Sequence, residues 1–113
     1  MAIEHIALAN DWEYAYTVTT RDAATGEWEP ATIVPPDAWI SADPSGAAIN
    51  AALRLTTVER AGLPGSYYAV LDGDLISTHL ASYIGKTVYE VFGDDGNILR
   101  FRPLRVTLTQ RFT

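Results

Sequence analysis

The sequence predicts a mostly β fold, an antiparallel β-sandwich of about seven strands with one short α-helix at about residues 74–84. Two observations predict the strands: runs of β-branched and aromatic residues with alternating polarity, and the Gly, Pro and Asp turns between them. A single change to three- and four-residue apolar spacing predicts the helix. Residues 1–113 contain no cysteine, and they are enough for one domain whose core buries roughly two thirds of the unfolded surface without disulfides.

Two strands are predicted before residue 20. Residues 3–8 form the first, and residues 12–19 form the second. Alternation in the second strand places Tyr14, Tyr16 and Val18 on one face, which predicts a half-buried strand.

A tight hairpin is predicted next. A three-residue loop of Ala24–Gly26, ending on a glycine that adopts positive φ easily, would place Arg21 opposite Glu29. Two prolines then lead to a short strand over Ala38–Ser41, and residues 43–48 are expected to form a loop.

The middle of the chain contains an ambiguous segment and a clear strand. Residues 50–55 combine helix-favouring alanines with strand-forming residues, and we predict a strand over Ala52–Arg60. The run Ser66–Asp72 is aromatic and β-branched and predicts another strand. Asp74 can then cap the helix, which ends before Gly85.

The last two strands, within residues 87–109, are predicted as a hairpin around Asp94-Asp95-Gly96. A three-residue loop would set Glu90 opposite Arg100 as a cross-strand ion pair. A proline cannot donate to a ladder, so a bend, bulge or edge is expected at Pro103. The same register places four apolar side chains on one face: Tyr89, Val91, Leu99 and Phe101.

Charge and hydropathy exclude two classes of partner. Eight Lys and Arg against fourteen Asp and Glu give a net charge of −6, whereas nucleic-acid binding without sequence preference requires Lys and Arg to neutralise phosphates. No apolar run approaches the ~20 residues of a membrane span. Glu4 and His5 interrupt the apolar stretch that an export signal would require near the start of the sequence. We therefore expect no nucleic-acid and no membrane partner.

No set of residues predicts a reaction, a metal or a cofactor. His5 and His79 are the two histidines, and neither has further ligands at the spacing of a metal site. Asp72-Gly73-Asp74 and Asp94-Asp95-Gly96 lack the other ligands of a calcium loop, and turn and cap chemistry explains both. The chain also has no nucleophile elbow and no glycine-rich phosphate loop. The sequence does not predict an enzyme.

Six residues are candidates for an interface. The arginines of the C-terminal strand would dock on an acidic partner, or else form salt bridges to Glu90 and other carboxylates. The aromatic residues would anchor a partner or a sugar, or else belong to the core of so small a sandwich. The candidates are Trp12, Trp28, Tyr67, Arg100, Arg102 and Arg105.

Three stretches of the chain resemble a known family: Thr19–Gly26, Ala61–Tyr68 and Thr87–Asp94. They are similar to the immunoglobulin-like domains of tailed-phage virion proteins, such as the N-terminal domain of upper baseplate proteins. In those domains a hairpin with an Asp-x-x-Gly-type turn, a Pro-Gly-x-Tyr strand entry and a final hairpin follow one another. The similarity spans about residues 12–106.

The resemblance implies an immunoglobulin-like sandwich with a structural role. Such a protein is assembled into a virion in the host cytoplasm, where it decorates or joins subunits of the head, neck, tail or baseplate through protein-protein contacts. Repeated copies, including homo-oligomers, are expected on a symmetric particle. The alternative, suggested by the Trp and Tyr content, is a free-standing module that binds carbohydrate or a cell-surface ligand.

Overall fold

The computed structural model describes residues 4–31, 34–43, 48–94 and 97–108, and these residues form a mostly β structure. The larger sheet contains, in spatial order, β1 (Glu4–Ala7), β10 (Asn97–Thr107), β9 (Thr87–Asp94), β5 (Asp37–Ser41) and β6 (Leu55–Thr56). A second sheet contains β2 (Trp12–Thr17), β8 (Ser66–Leu71) and β7 (Val58–Glu59). A separate hairpin consists of β3 (Thr19–Arg21) and β4 (Trp28–Pro30). β1 pairs with β10 in parallel, and the other pairings are antiparallel.

One α-helix, α1 (Gly73–Leu80), connects β8 to β9 within the described part of the chain. Asp72 caps it, because its side chain accepts a hydrogen bond from the backbone N–H of Asp74 at 2.7 Å. The cap therefore lies two residues before the predicted one. A 3₁₀ turn over Ala81–Tyr83 follows the helix. The prediction of a mostly β chain with one short helix is confirmed, although the α-helical part is shorter than 74–84.

The core lies between the five-stranded and the three-stranded sheet. Tyr14 of β2 and Phe92 of β9 meet across it, with ring centroids 6.3 Å apart and ring planes at 85°. Tyr16 stacks on Phe92 with centroids 5.0 Å apart. Helix α1 contributes Ile76 and Leu80, which are fully buried in the same cluster. The two sheets thus face each other across one set of apolar side chains.

The predicted strand over Ala52–Arg60 is wrong. A 3₁₀ turn over Ala51–Leu53 comes first, and the short strands β6 and β7 that follow belong to different sheets. The chain crosses between the sheets at Thr57, which is fully buried. Its backbone N–H and its hydroxyl both donate to the carbonyl oxygen of Pro36, at 3.0 and 2.6 Å. This anchor stops a single straight strand from forming.

The register predicted for the final hairpin is also wrong. Asp94 pairs with Asn97, so two residues separate the paired positions instead of three. A β-bulge between Ile98 and Arg100 then shifts the register once more. As a result Glu90 pairs with Arg102 and not with Arg100. Of the alternatives expected at Pro103, the described residues show the edge position, since β9 is its only strand neighbour among them, and the bulge lies earlier in the strand.

The first hairpin differs from the prediction by one residue, because Arg21 pairs with Trp28 and not with Glu29. The cause is Asp22, whose side chain accepts hydrogen bonds from the backbone N–H groups two and three residues later, at 2.7 and 3.1 Å. The Asp22 N–H also donates to the carbonyl of Glu27 at 2.8 Å. The loop therefore contains four residues, one more than predicted.

Some predictions concern residues outside the described ranges. They include residues 44–47 of the predicted 43–48 loop, and Asp95 and Gly96 of the final turn. No helix among the described residues has the length and apolar character needed to cross a membrane.

Candidate functional site

Several chain connections meet at one end of the molecule. Strand β2 ends there beside the start of β8, since Thr17 pairs with Ser66. Strand β5 begins there beside the end of β9, since Asp37 pairs with Gly93. Tyr16 near the end of β2 stacks on Phe92 near the end of β9, so the connection from β2 to β5 leaves and returns at the same end, where β9 also ends and β10 begins. We call this region the arm end.

The hairpin of β3 and β4, with its loop, projects from the arm end, and we call residues 19–30 the arm. All six residues of its two strands are exposed. Trp28 has 69% of its surface exposed. A two-stranded hairpin is at best marginally stable in water without packing on another element. An exposed indole on such a hairpin is typical of a side chain that becomes buried in an interface when a partner binds.

The base of the arm is firmly attached to the three-stranded sheet. The Ala31 N–H donates to the Val18 carbonyl at 3.0 Å, and the Val18 N–H donates to the Gly65 carbonyl at 2.7 Å. The Gly65 N–H in turn donates to a carboxylate oxygen of Glu59 at 3.0 Å. Gly65 has a φ of +79°, and a Cβ there would lie 2.6 Å from the Val18 carbonyl oxygen. The arm is thus held at its base and exposed along its length.

Other apolar side chains are exposed at the arm end. Val34 follows the arm with 88% of its surface exposed, and Leu63 lies in the turn that packs on the arm's base with 57% exposed. Ile98, beside the β9–β10 turn, is 40% exposed. Singly exposed apolar residues are normal on a protein surface, whereas several in one region are a reason to look for an interaction site there.

The arm carries an excess of negative charge. Glu27 and Glu29 lie on either side of Trp28 and are exposed. Asp22 adds a third carboxylate, and hydrogen bonds from the backbone of Thr25 and Ala24 hold its pKa below the ordinary value. Against these three carboxylates stands one guanidinium, that of Arg21, whose Nε donates to the Gly26 carbonyl at 3.1 Å.

The three candidate arginines of β10 differ in their partners. The Nε of Arg102 donates to a carboxylate oxygen of Glu90 at 2.7 Å, so the salt-bridge interpretation applies to this residue. Arg100 and Arg105 are exposed. Neither has a carboxylate within ion-pair distance among the described residues. Positive charge therefore remains available along β10.

Glu90 is the centre of a buried polar cluster that joins the two sheets. Its side chain is fully buried; one carboxylate oxygen accepts from Arg102 and the other from the indole N–H of Trp12 at 2.6 Å. Burial raises the pKa of Glu90, and this effect outweighs the opposing hydrogen bonds from Arg102 and Trp12 and the positive charges of Arg102 and Arg100. Because both oxygens are occupied, the cluster is structural. Trp12 is half-buried and committed to it.

Tyr67 is 1% exposed and belongs to the interior. Its neighbour Tyr68 points to the opposite face of β8, where the Arg60 guanidinium lies 4.2 Å from the ring centroid.

The sequence predicted Trp28 as an interface residue but did not identify Glu27 and Glu29. The signal that would have identified them is the Glu-Trp-Glu alternation itself, since flanking side chains on a strand share one face.

Among the described residues, no three His, Asp or Glu side chains are grouped as a metal site would require. Comparisons with protein-family models, with curated proteins and with solved structures find no match for this chain.

Proposed function

We propose that this protein is a structural subunit of a phage-like virion, an immunoglobulin-like sandwich that decorates or joins other subunits through protein-protein contacts. It acts without catalysis and without a cofactor. The observation that carries the proposal is the arm: a hairpin fixed at its base, with all six strand residues exposed and Trp28 on its surface.

The strand order supports an immunoglobulin-like arrangement. In such domains strands B, E and D are neighbours in one sheet, C, F and G are neighbours in the other, and variable-type domains extend the second sheet beyond C. The order β2-β8-β7 corresponds to B-E-D, and β10-β9-β5-β6 corresponds to G-F-C with one added strand. The first strand departs from the constant-type pattern, because β1 pairs with β10 and not with β2.

This correspondence gives the arm a place in the domain. The arm lies in the connection between β2 and β5, the counterpart of the B–C loop, and the β9–β10 turn is the counterpart of the F–G loop. In variable domains these two loops lie at one end and bind the ligand. A binding role for the arm end is therefore consistent with both its topology and its exposed apolar residues.

The carbohydrate alternative receives less support. Of the two aromatic residues most relevant to a sugar platform, Tyr67 is buried, so Trp28 would have to act without it. A glycan array that gives a signal with the wild type and none with Trp28→Ala would favour this alternative over the virion proposal.

The proposal is tested on particles purified from a culture of the host that carries the gene. Mass spectrometry and immunogold labelling should detect the protein in the particles at a fixed ratio to the major subunit. Trp28→Ala should lower its incorporation, whereas Leu108→Ala, at an exposed apolar residue away from the arm, should not. A protein that is abundant in the lysate and absent from the particles would overturn the proposal.

A further inference from the structure

Among the described residues, strand β10 has one edge that is paired over only part of its length. It covers Asn97–Thr107, but β1 pairs only with its last part, Leu104–Thr107. Within the described residues, the preceding stretch has a strand neighbour on one side only, namely β9. An unpaired edge of this kind presents backbone donors and acceptors that can pair with another strand. The side chains along it include the exposed Arg100 and Phe101.

The arm is the second open element. Its strands β3 and β4 pair only with each other among the described residues. Each therefore has a free edge, and that of β4 carries the exposed Trp28 between two exposed glutamates.

The two open edges are complementary in sequence. The arm presents Glu27-Trp28-Glu29, and β10 presents Arg100-Phe101-Arg102. Neighbouring side chains on a strand point to opposite faces, and a sheet keeps each face continuous across paired strands. Pairing Trp28 beside Phe101 would therefore place both glutamates on the same face as the arginines. This match holds for either strand direction, because each triplet is symmetric about its aromatic residue.

We infer that the arm of one copy of this chain pairs with the open edge of β10 in a second copy. Three residues is the expected length of the ladder, because a proline without an N–H, Pro30 or Pro103, follows each triplet. Phe101, 49% exposed in the isolated chain, and Trp28 would cover each other. Segregated charge also explains how a chain of net charge −6 can attract its own copies: the acidic arm meets a strand on which Arg100 has no carboxylate within ion-pair distance among the described residues.

The contact is heterologous, since the arm and the strand edge are different surfaces of one chain. Each copy can therefore make two such contacts, one through its arm and one through the edge of its β10. The assembly then closes into a small ring or reciprocal dimer, or extends as a filament. A single contact of this size belongs with small, transient interfaces below about 1,200 Å². Association is therefore expected at high protein concentration and should weaken as salt rises.

Charge reversal and rescue test the inference by sedimentation velocity over a concentration series. The wild type should associate, while an arm-reversed variant, Glu27→Arg with Glu29→Arg, and a strand-reversed variant, Arg100→Glu, should each associate at least about tenfold more weakly. An equimolar mixture of the two variants should recover association, because in every contact between unlike chains position 100 again meets an arm side chain of opposite charge.

Arg105→Glu is the matched control. Arg105 is exposed on the same strand, but it lies opposite His5 in the part already paired with β1. It should associate like the wild type, and circular dichroism should show that all variants are folded. A wild type that remains monomeric at every concentration, a mixture that stays as monomeric as its components, or an Arg105 variant as weak as the Arg100 variant would each overturn the inference.

The inference deepens the proposed function by naming a second copy as a partner, and the two can fail separately. A monomeric protein that is incorporated into particles at a fixed ratio would refute the pairing of copies and leave the virion role intact. Self-association with charge rescue, in a protein absent from particles, would refute the virion role and leave the pairing intact.

Discussion

Glu90 shows how one residue can join the two sheets at a cost. Its carboxylate is fully buried, and its two hydrogen bonds come from Trp12 in one sheet and Arg102 in the other. A buried ion pair of this kind contributes little net stability, because removing a charge from water costs about as much as the partner returns. The raised pKa of Glu90 indicates that burial has the larger effect here.

The raised pKa makes the free energy of unfolding depend on pH in a definite direction. The folded chain binds the Glu90 proton more tightly than the unfolded chain, whose value lies near 4.5. Stability from this group is therefore complete below pH 4.5 and is lost as pH rises through the folded pKa. Urea unfolding of wild type and Glu90→Gln from pH 4.5 to 8 should show the wild type losing stability relative to the variant, by about 1.4 kcal/mol for each pH unit that separates the two pKa values.

Asp22 and Arg102 also affect how the stability depends on pH. Asp22 has a lowered pKa, so its contribution to the free energy of unfolding is lost as pH falls below its ordinary 3.8. That loss lies outside the range of pH 4.5 to 8 and is the same in both proteins.

Arg102→Met keeps the aliphatic stem and removes the charge that favours ionised Glu90, so it should extend the loss of stability to higher pH. Parallel curves for wild type and Glu90→Gln would show that Glu90 is not held as described.

At the scale of elements, the arm depends on one turn that packs against its base. Gly62 and Gly65 lie in the same turn with φ of +75° and +79°, and an alanine at either position carries the strain of left-handed backbone, about 1–2 kcal/mol. Only at Gly65 would the new Cβ collide with backbone, 2.6 Å from the Val18 carbonyl oxygen; at Gly62 it meets nothing within 4 Å.

Gly65→Ala should therefore lower the free energy of unfolding by more than Gly62→Ala, and it should displace the arm. Thermal unfolding measures the first effect. The second is measured by hydrogen exchange at the Val18 amide, which donates to Gly65 and should exchange faster in the Gly65 variant alone. Equal losses in the two variants would mean that the close contact at the base is absent.

The elements also show how far the sequence predicts the fold. Alternation placed most strands correctly, because burial of one face is recorded in every second residue. Alternation did not predict the strand registers, because a register depends on hydrogen bonds in the turns and on bulges, which the polarity pattern does not record. The hydrogen bonds of Asp22 lengthen the first loop, and a bulge at Ile98–Arg100 shifts the last strand. The total shift in the final hairpin is two residues, and because side chains alternate with a period of two, β9 and β10 keep the same faces together as in the predicted register. Tyr89 and Phe101 accordingly still meet, with ring centroids 6.1 Å apart.

The candidate interface was predictable only in part for the same reason. Tyr67 and Tyr68 are adjacent and chemically alike, and only packing decides that the first is buried and the second is not. Trp12 and Trp28 both lie on strands, but the indole of Trp12 donates to Glu90 in the facing sheet, whereas Trp28 is exposed on the hairpin.

At the scale of the molecule, the parallel pair of β1 and β10 joins the two ends of the described chain. Ile6 lies beside Val106 in this pair, and both are fully buried in the core. Because β1 has only four residues, its attachment rests mainly on the apolar side chain it contributes. Ile6→Ala should lower the free energy of unfolding by about 2–4 kcal/mol, the usual cost of a large-to-small change in a core.

Ile84 provides the comparison, since it is 44% exposed just before β9 and an alanine there should cost less than about 1 kcal/mol. Chemical denaturation gives both values. Hydrogen exchange adds a whole-molecule readout, because loss of β1 should also release the Leu8 amide, which donates to the Thr107 carbonyl at 3.0 Å. If Ile6→Ala were as mild as Ile84→Ala, the first strand would not belong to the core. The edge of β10 would then be open over its full length, which would remove the reason for expecting Arg105→Glu to differ from Arg100→Glu.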